Sequence, residues 1–203
     1  MKKLFGHPDS GHAFKIRFFL EVAKIQHDYE KVDIWIPRDQ RSSEFQSVAR
    51  FGEVPVLVDN GRAHVQSNAI LLHLARQTRG WGAENPERLD LCTQWLMWEA
   101  NKIGMCLPQL RSRAKFESDA NLDAAYHWLT ARYERDVNTI DAEFSDGREW
   151  ILAGDTPSIA DFSLSGYLFF AGEADLEVPV LVQDWLNRLS MLNGWQHPYD
   201  LLA

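Results

Sequence analysis

The chain has 203 residues, 45% of them hydrophobic, 25% charged and 12% aromatic, which is enough to bury a core and unlike a disordered segment. Its 21 Lys+Arg against 29 Asp+Glu give a net charge of −8, a balance that excludes general nucleic-acid binding. No apolar run approaches the roughly 18 residues of a membrane span, and the stretch Gly6-His7-Pro8-Asp9-Ser10 interrupts a leader-like start at Met1-Lys2-Lys3, so a cytoplasmic protein with no membrane partner is expected.

In chain order, Lys3-Leu4-Phe5 reads as a short strand, followed by a loop from Gly6 to Gly11. Phe14, Phe18, Val22 and Ile25 fall at helical spacing, and Tyr29–Ile34 alternates like a strand. Ser42–Val48 is a weak helical turn. Val56–Val58, Asn60-Gly61 and Arg62–Val65 form the pattern of a hairpin around a two-residue turn. Ser67–Arg79 is a helix with Ile70, Leu71 and Leu74 on its apolar face. The βαβ order requires a parallel pair, and the added hairpin makes a mixed four-stranded sheet with helices on it.

Trp81–Glu87 carries Gly, Asn and Pro and reads as a linker; beyond it the strand signals stop. Pro86–Leu110 and Asp119–Phe144 are long helical patterns, with shorter ones over Ser158–Phe170 and Val180–Leu192. The expected division is therefore an α/β domain over 1–78, a linker over 79–86 and an all-helical domain over 87–203. Charge divides the same way: residues 1–78 hold 11 basic and 9 acidic side chains and the remainder 10 and 20, so an anionic ligand meets less repulsion in the first part.

Cys92 and Cys106, the two cysteines, fall in one predicted helix. A rise of about 1.5 Å per residue sets them roughly 21 Å apart, too far for a bridge. The seven histidines show no metal-ligand spacing, and no metal is expected. Ser10, between the first strand and the first helix, is either a capping serine or a hydroxyl donor at the helix's positive end. Asp9 and His12 beside it are too close in sequence to form a hydrolytic triad with it. Val54-Pro55 before a strand is either an ordinary turn or a cis bond that turns the backbone of Val54 outward for an extended ligand. Gln66-Ser67 opens a helix as a cap or as a carboxylate-binding N-terminus. Ser158 followed by Asp161 is a capping box.

In their order, Leu4-Phe5-Gly6-His7-Pro8, Ser10, Lys15-Ile16-Arg17, Phe51-Gly52-Glu53-Val54-Pro55-Val56-Leu57, Gln66-Ser67-Asn68-Ala69-Ile70 and Ser158-Ile159-Ala160-Asp161 resemble the cytosolic glutathione transferase family. The resemblance spans nearly the whole chain and is closest to bacterial, serine-using members. It implies a thioredoxin-like α/β N-terminal domain, an all-α C-terminal domain, a homodimer, and conjugation of glutathione, as co-substrate, to a small hydrophobic electrophile. Disulfide or peroxide reduction, or binding without catalysis, is the alternative on the same fold.

The resemblance also implies roles for particular residues. Ser10 hydrogen-bonds the glutathione sulfur, Val54 pairs with the cysteinyl backbone beside cis-Pro55, and Gln66 and Ser67 hold the γ-glutamyl end. Gln40 faces the glycine end, and Phe51 is an aromatic key to the partner subunit. His7, Pro8, Trp98, Asn101 and Met105 are expected at the second-substrate pocket. One departure is Ala49-Arg50, where the family commonly has Asn-Pro. The energetics suit such a site: lowering a thiol pKa by about 2 units takes roughly 2.7 kcal/mol, and one hydrogen bond to a charged group contributes about 1.5–3 kcal/mol.

Overall fold

The computed structural model describes residues 1–116 and 124–203. β1 (Lys2–Gly6) lies parallel to β2 (His27–Lys31), joined through α1 (Gly11–Val22), and antiparallel to β3 (Val56–Asp59). β3 pairs with β4 (Arg62–Val65), so the strand order is β2-β1-β3-β4. The Asn60-Gly61 turn has positive φ at both residues, 49° and 76°, as a two-residue hairpin of this hand requires. α2 (Ser43–Val48), capped by the Ser42 hydroxyl, bridges the two halves of the sheet, and α3 (Ser67–Thr78) follows β4. This is the mixed four-stranded, thioredoxin-like domain expected.

β2 starts and ends earlier than its alternation predicts. Its pairing with β1 runs from Lys2–His27 to Gly6–Lys31, and the amide of Val32 closes it on the carbonyl of Gly6 at 2.8 Å. Beyond that point the Arg41 guanidinium gathers the carbonyls of Ile34 and Ile36 at 3.0 and 3.3 Å. Those carbonyls bind a side chain, so the chain leaves the sheet.

The second domain is helical: α4 (Pro86–Asn101), α5 (Ile103–Phe116), α6 (Ala124–Glu143), α7 (Ile159–Leu168), α8 (Val180–Ser190) and α9 (Pro198–Leu201). The helix predicted over 119–144 begins outside the described residues. That predicted over 86–110 is two helices, broken at Lys102 with φ −124° and ψ −104°. The break lies beside a buried carboxylate: a Cβ at Gly104 would stand 2.4 Å from Glu99 Oε1, so only glycine lets the chain pass it. Cys92 and Cys106 consequently sit on separate helices. Both are free and buried, and burial pushes the Cys106 thiol up to about 11.

The main apolar core runs through both domains, and a smaller cluster of Phe5, Val32, Phe45, Ala49 and Val56 packs separately. Phe18 and Phe19 of α1 meet Phe162 of α7 at centroid distances of 5.0 and 5.1 Å. α7 is fixed by the predicted capping box, whose Asp161 also takes the Ile151 amide at 2.9 Å and the Trp185 indole at 3.0 Å. α1 and α7 cross where both carry glycine. A Cβ on Gly11 would fall 2.8 Å from the carbonyl of Gly166 and 2.7 Å from the Tyr167 ring. That approach seats Tyr167 against the N-terminus of α1.

Candidate functional site

The loops after β1 and before β3, the N-terminus of α3 and the α4–α5 break converge on one interdomain cleft. A cavity of about 180 Å³ holds His12, Val54, Pro55, Gln66 and Ser67; an adjoining one of about 580 Å³ holds Ser10, Ile34, Arg38, Met105, Pro108 and Tyr167. His12, Glu53, Val54, Ala100 and Gly104 line both.

Ser10 is the N-cap of α1: its Oγ accepts from the Ala13 amide at 3.1 Å. Capping uses an oxygen lone pair and leaves the O–H to donate, with the Tyr167 hydroxyl as its neighbour in the protein. Cap and donor are therefore compatible roles, and the hydroxyl stands at the positive end of a 12-residue helix. The loop carrying it is held from the C-terminal domain. Arg111 donates to the Asp9 carbonyl at 2.6 Å and to its carboxylate at 3.0 Å, while Lys115 and the Tyr199 hydroxyl donate to the same carboxylate. These donors hold Asp9 below the usual carboxylate range against the opposing effect of burial.

Val54-Pro55 is cis. Neither backbone group of Val54 is taken by a turn or a cap, and the residue lies on both cavities. Gln66 has φ 67° and ψ 111°, a sparsely populated conformation for a residue with a side chain. It opens α3 without a side-chain cap bond, so Ser67 is the first helical residue and not the cap. The buried Ser67 hydroxyl therefore faces the cavity with its donor uncommitted.

Beneath these groups lies a buried polar cluster. Lys15 Nζ donates to Glu99 Oε2 at 3.1 Å and to Asn68 Oδ1 at 2.9 Å; the Asn68 amide donates to Glu99 at 2.8 Å, and Ser163 donates to Asn68 at 2.7 Å. It joins α1, α3, α4 and α7, one residue from Ser67. Burial pulls the Lys15 ammonium down, with Glu99 opposing. Among the described residues no group of three or more His, Cys, Asp and Glu is arranged to hold a metal ion.

The other predicted residues separate. Met105 lines the larger cavity. Trp98 packs on Trp95 at 5.5 Å and lines a different cavity, against Ile151 and Leu152. Asn101 is exposed, its carbonyl accepting from Arg132. His7 accepts the Asp9 amide through Nδ1 and stands edge-on to Trp35; it and Pro8 lie in the β1–α1 loop, outside the lining of the two cavities. Gln40 is exposed on a 3₁₀ turn (Arg38–Gln40), also outside that lining. Phe51, by contrast, lines the smaller cavity and is 43% exposed beside Glu53 and Gln66.

Sequence reasoning missed His12 as a lining residue, and also Arg38, Tyr167 and the Lys15–Glu99 pair. Only Lys15 left a signal, a charge among the apolar positions of α1.

Residues 2–76 match the family described as "Glutathione S-transferase, N-terminal domain", and residues 106–196 match "Glutathione S-transferase, C-terminal domain". Disulfide-bond oxidoreductase YfcG of Escherichia coli is 26% identical over 91% of this chain and 87% of its own. A solved glutathione S-transferase from Xanthobacter autotrophicus Py2 superposes with a TM-score of 0.84 at 26% identity, covering 100% of both chains. A Burkholderia graminis glutathione transferase, solved with two glutathione molecules per subunit, gives 0.78 at 24% identity, covering 99% of this chain and 87% of that one. With matches to both domains and over most of its length, this chain belongs to the glutathione S-transferase family.

Proposed function

We propose that the cleft binds glutathione and that the protein transfers its thiolate to a small hydrophobic electrophile. The observation that carries this reading is the meeting, in one cleft, of the Ser10 hydroxyl, the unpaired Val54 backbone and the uncommitted Ser67 hydroxyl. In this reading Val54 pairs with the cysteinyl backbone beside Pro55, Gln66 and Ser67 hold the γ-glutamyl carboxylate and amine, and Ser10 donates to the sulfur. Arg38, only loosely paired with Glu53 at 3.9 Å, supplies positive charge for the glycine carboxylate. The thiol proton leaves to solvent. The thiolate then attacks an electrophile in the larger cavity, where Ile34, Met105, Pro108 and Tyr167 exclude water.

Glutathione is a co-substrate here, and the mechanism uses no metal. The same reading takes the working unit as a homodimer, with the exposed Phe51 reaching the partner subunit, in the cytoplasm. No helix among the described residues is long and apolar enough to cross a membrane.

A second reading, reduction of a disulfide, is favoured by the size of the adjoining cavity, about 580 Å³, and by the oxidoreductase named among the relatives. Calorimetric binding of glutathione, followed by parallel assays with a chloronitrobenzene electrophile and a glutathione mixed disulfide, tests both. Conjugate formation supports transfer, and thiol release from the disulfide alone supports reduction. Absence of glutathione binding overturns both.

A further inference from the structure

His12 is unexplained by the fold. It follows Ser10 by two residues at the start of α1, and both cavities share it. Its ring stands edge-on to Tyr167, with centroids 4.8 Å apart and planes at 81°, which sets the plane of the imidazole. Burial, reinforced by the nearby Lys15 charge and opposed by Glu99, draws its pKa down to about 4. The ring is therefore neutral at physiological pH and carries a single N–H.

The environment decides which nitrogen carries it. Nδ1 is closed off from solvent and has no hydrogen-bond partner. Nε2 has no protein partner either but is open to the cleft. A buried N–H without an acceptor is costlier than a buried lone pair without a donor. The proton accordingly resides on Nε2, which makes the cleft face of His12 a donor.

We infer that His12 presents its Nε2–H to the sulfur of bound glutathione, as a second hydrogen-bond donor beside Ser10. The inference rests on the glutathione reading of the cleft and adds to it a residue that contacts the reacting atom. Ser10 lines the larger cavity, Val54 lines both, and Ser67 lines the smaller. A cysteinyl group that reaches from Val54 to Ser10 lies in the larger cavity, whose wall His12 shares with both residues. Two neutral donors hold the thiolate without a general base: the S–H bond breaks, the proton goes to solvent, and the electron pair stays on sulfur between the Ser10 O–H and the imidazole N–H.

The test compares His12→Phe, which keeps a ring against Tyr167 and removes the donor, with His12→Gln, whose amide nitrogen reaches the former Nε2 position. Thiolate absorbance of bound glutathione is titrated for each, and affinity is measured at a pH where the thiol stays protonated. Loss of one hydrogen bond to a charged group raises the thiol pKa of His12→Phe by about one unit or more. His12→Gln stays close to wild type, and low-pH affinity changes by no more than about twofold in either. Should His12→Phe not fold, His12→Leu carries the same comparison. An unchanged thiol pKa in a donor-less variant that still binds glutathione overturns the role of His12 and leaves the glutathione reading standing. Equal upward shifts in the Phe and Gln variants also overturn it, since ring loss and donor loss are then not separated. If the wild-type protein does not bind glutathione, the reading of the cleft fails and His12 fails with it.

Discussion

Replacing Ser10 by alanine removes two interactions at once, and the structure separates them. The first is the cap: the Oγ that accepts from the Ala13 amide at 3.1 Å. Its loss costs about 1 kcal/mol, which for a chain of this size lowers the Tm by roughly 2–4 °C. The second is the O–H, which in our account donates to the thiolate and contributes about 1.5–3 kcal/mol, or one to two pKa units. A free thiol near 8.5 lowered by about 2 units is roughly three-quarters ionised at pH 7; raised again by about 1.5 units it is roughly one-tenth ionised. Conjugation under subsaturating electrophile should therefore fall about eightfold at pH 7. The deficit should shrink towards twofold or less near pH 9, where both thiols are ionised and the more basic thiolate is the better nucleophile. The assay is a pH–rate profile of both proteins with glutathione saturating, beside a thermal melt. A deficit that stays constant across pH, with an unmoved inflection, would refute thiol activation by Ser10 and leave it a helix cap.

Ser67→Ala should weaken glutathione binding about five- to tenfold by calorimetry with little change in Tm, because its hydroxyl caps nothing; a matching fall in Tm with intact affinity would contradict this. Glu99→Gln leaves the fully buried Lys15 ammonium without its counter-charge and should cost about 3–5 kcal/mol in denaturant unfolding. The double change Lys15→Met with Glu99→Leu should recover most of that loss, and failure to recover would mean the pair contributes more than mutual neutralisation. Asp59 accepts from Lys2, His73 and Gln77 at 2.7–2.8 Å, and those donors hold its pKa well below the ordinary value. A depressed folded-state pKa stabilises above the unfolded value near 3.9 and is lost as pH falls towards the folded one. Asp59→Asn should thus cost about 1–3 kcal/mol at pH 7, with the gap between the two proteins narrowing as pH falls below about 4; a gap that does not vary with pH would contradict the linkage.

Much of this architecture was legible because its signals are local. The Asn60-Gly61 turn, the Ser158–Asp161 capping box and the change from strand to helix periodicity each depend on a few adjacent residues, and each appears where its chemistry places it. The Val54-Pro55 cis bond was one of two open readings, and the structure decides it. What was not legible depends on residues distant in sequence. The helix break at Lys102 lies beside Glu99, whose carboxylate is paired with Lys15, 84 positions away. Trp98 shows how little spacing alone says about a face. It stands two residues from Ala100, about 200° around the helix, so Ala100 lines the cleft while Trp98 joins Trp95 on another surface. Gln66-Ser67 left a cap and a ligand-binding N-terminus open, and the backbone at Gln66 sets the helix start so that the Ser67 hydroxyl caps nothing and lies at the cavity. His12 gave no signal, since its surroundings come from α7 and the polar cluster.

The central claim is that this cleft converts a thiol into a thiolate. The most direct measurement is the absorbance titration of glutathione bound to the wild-type protein. The account predicts a thiol pKa lowered by about 2 units from the free value. Glutathione that binds with its thiol at the free value would contradict it.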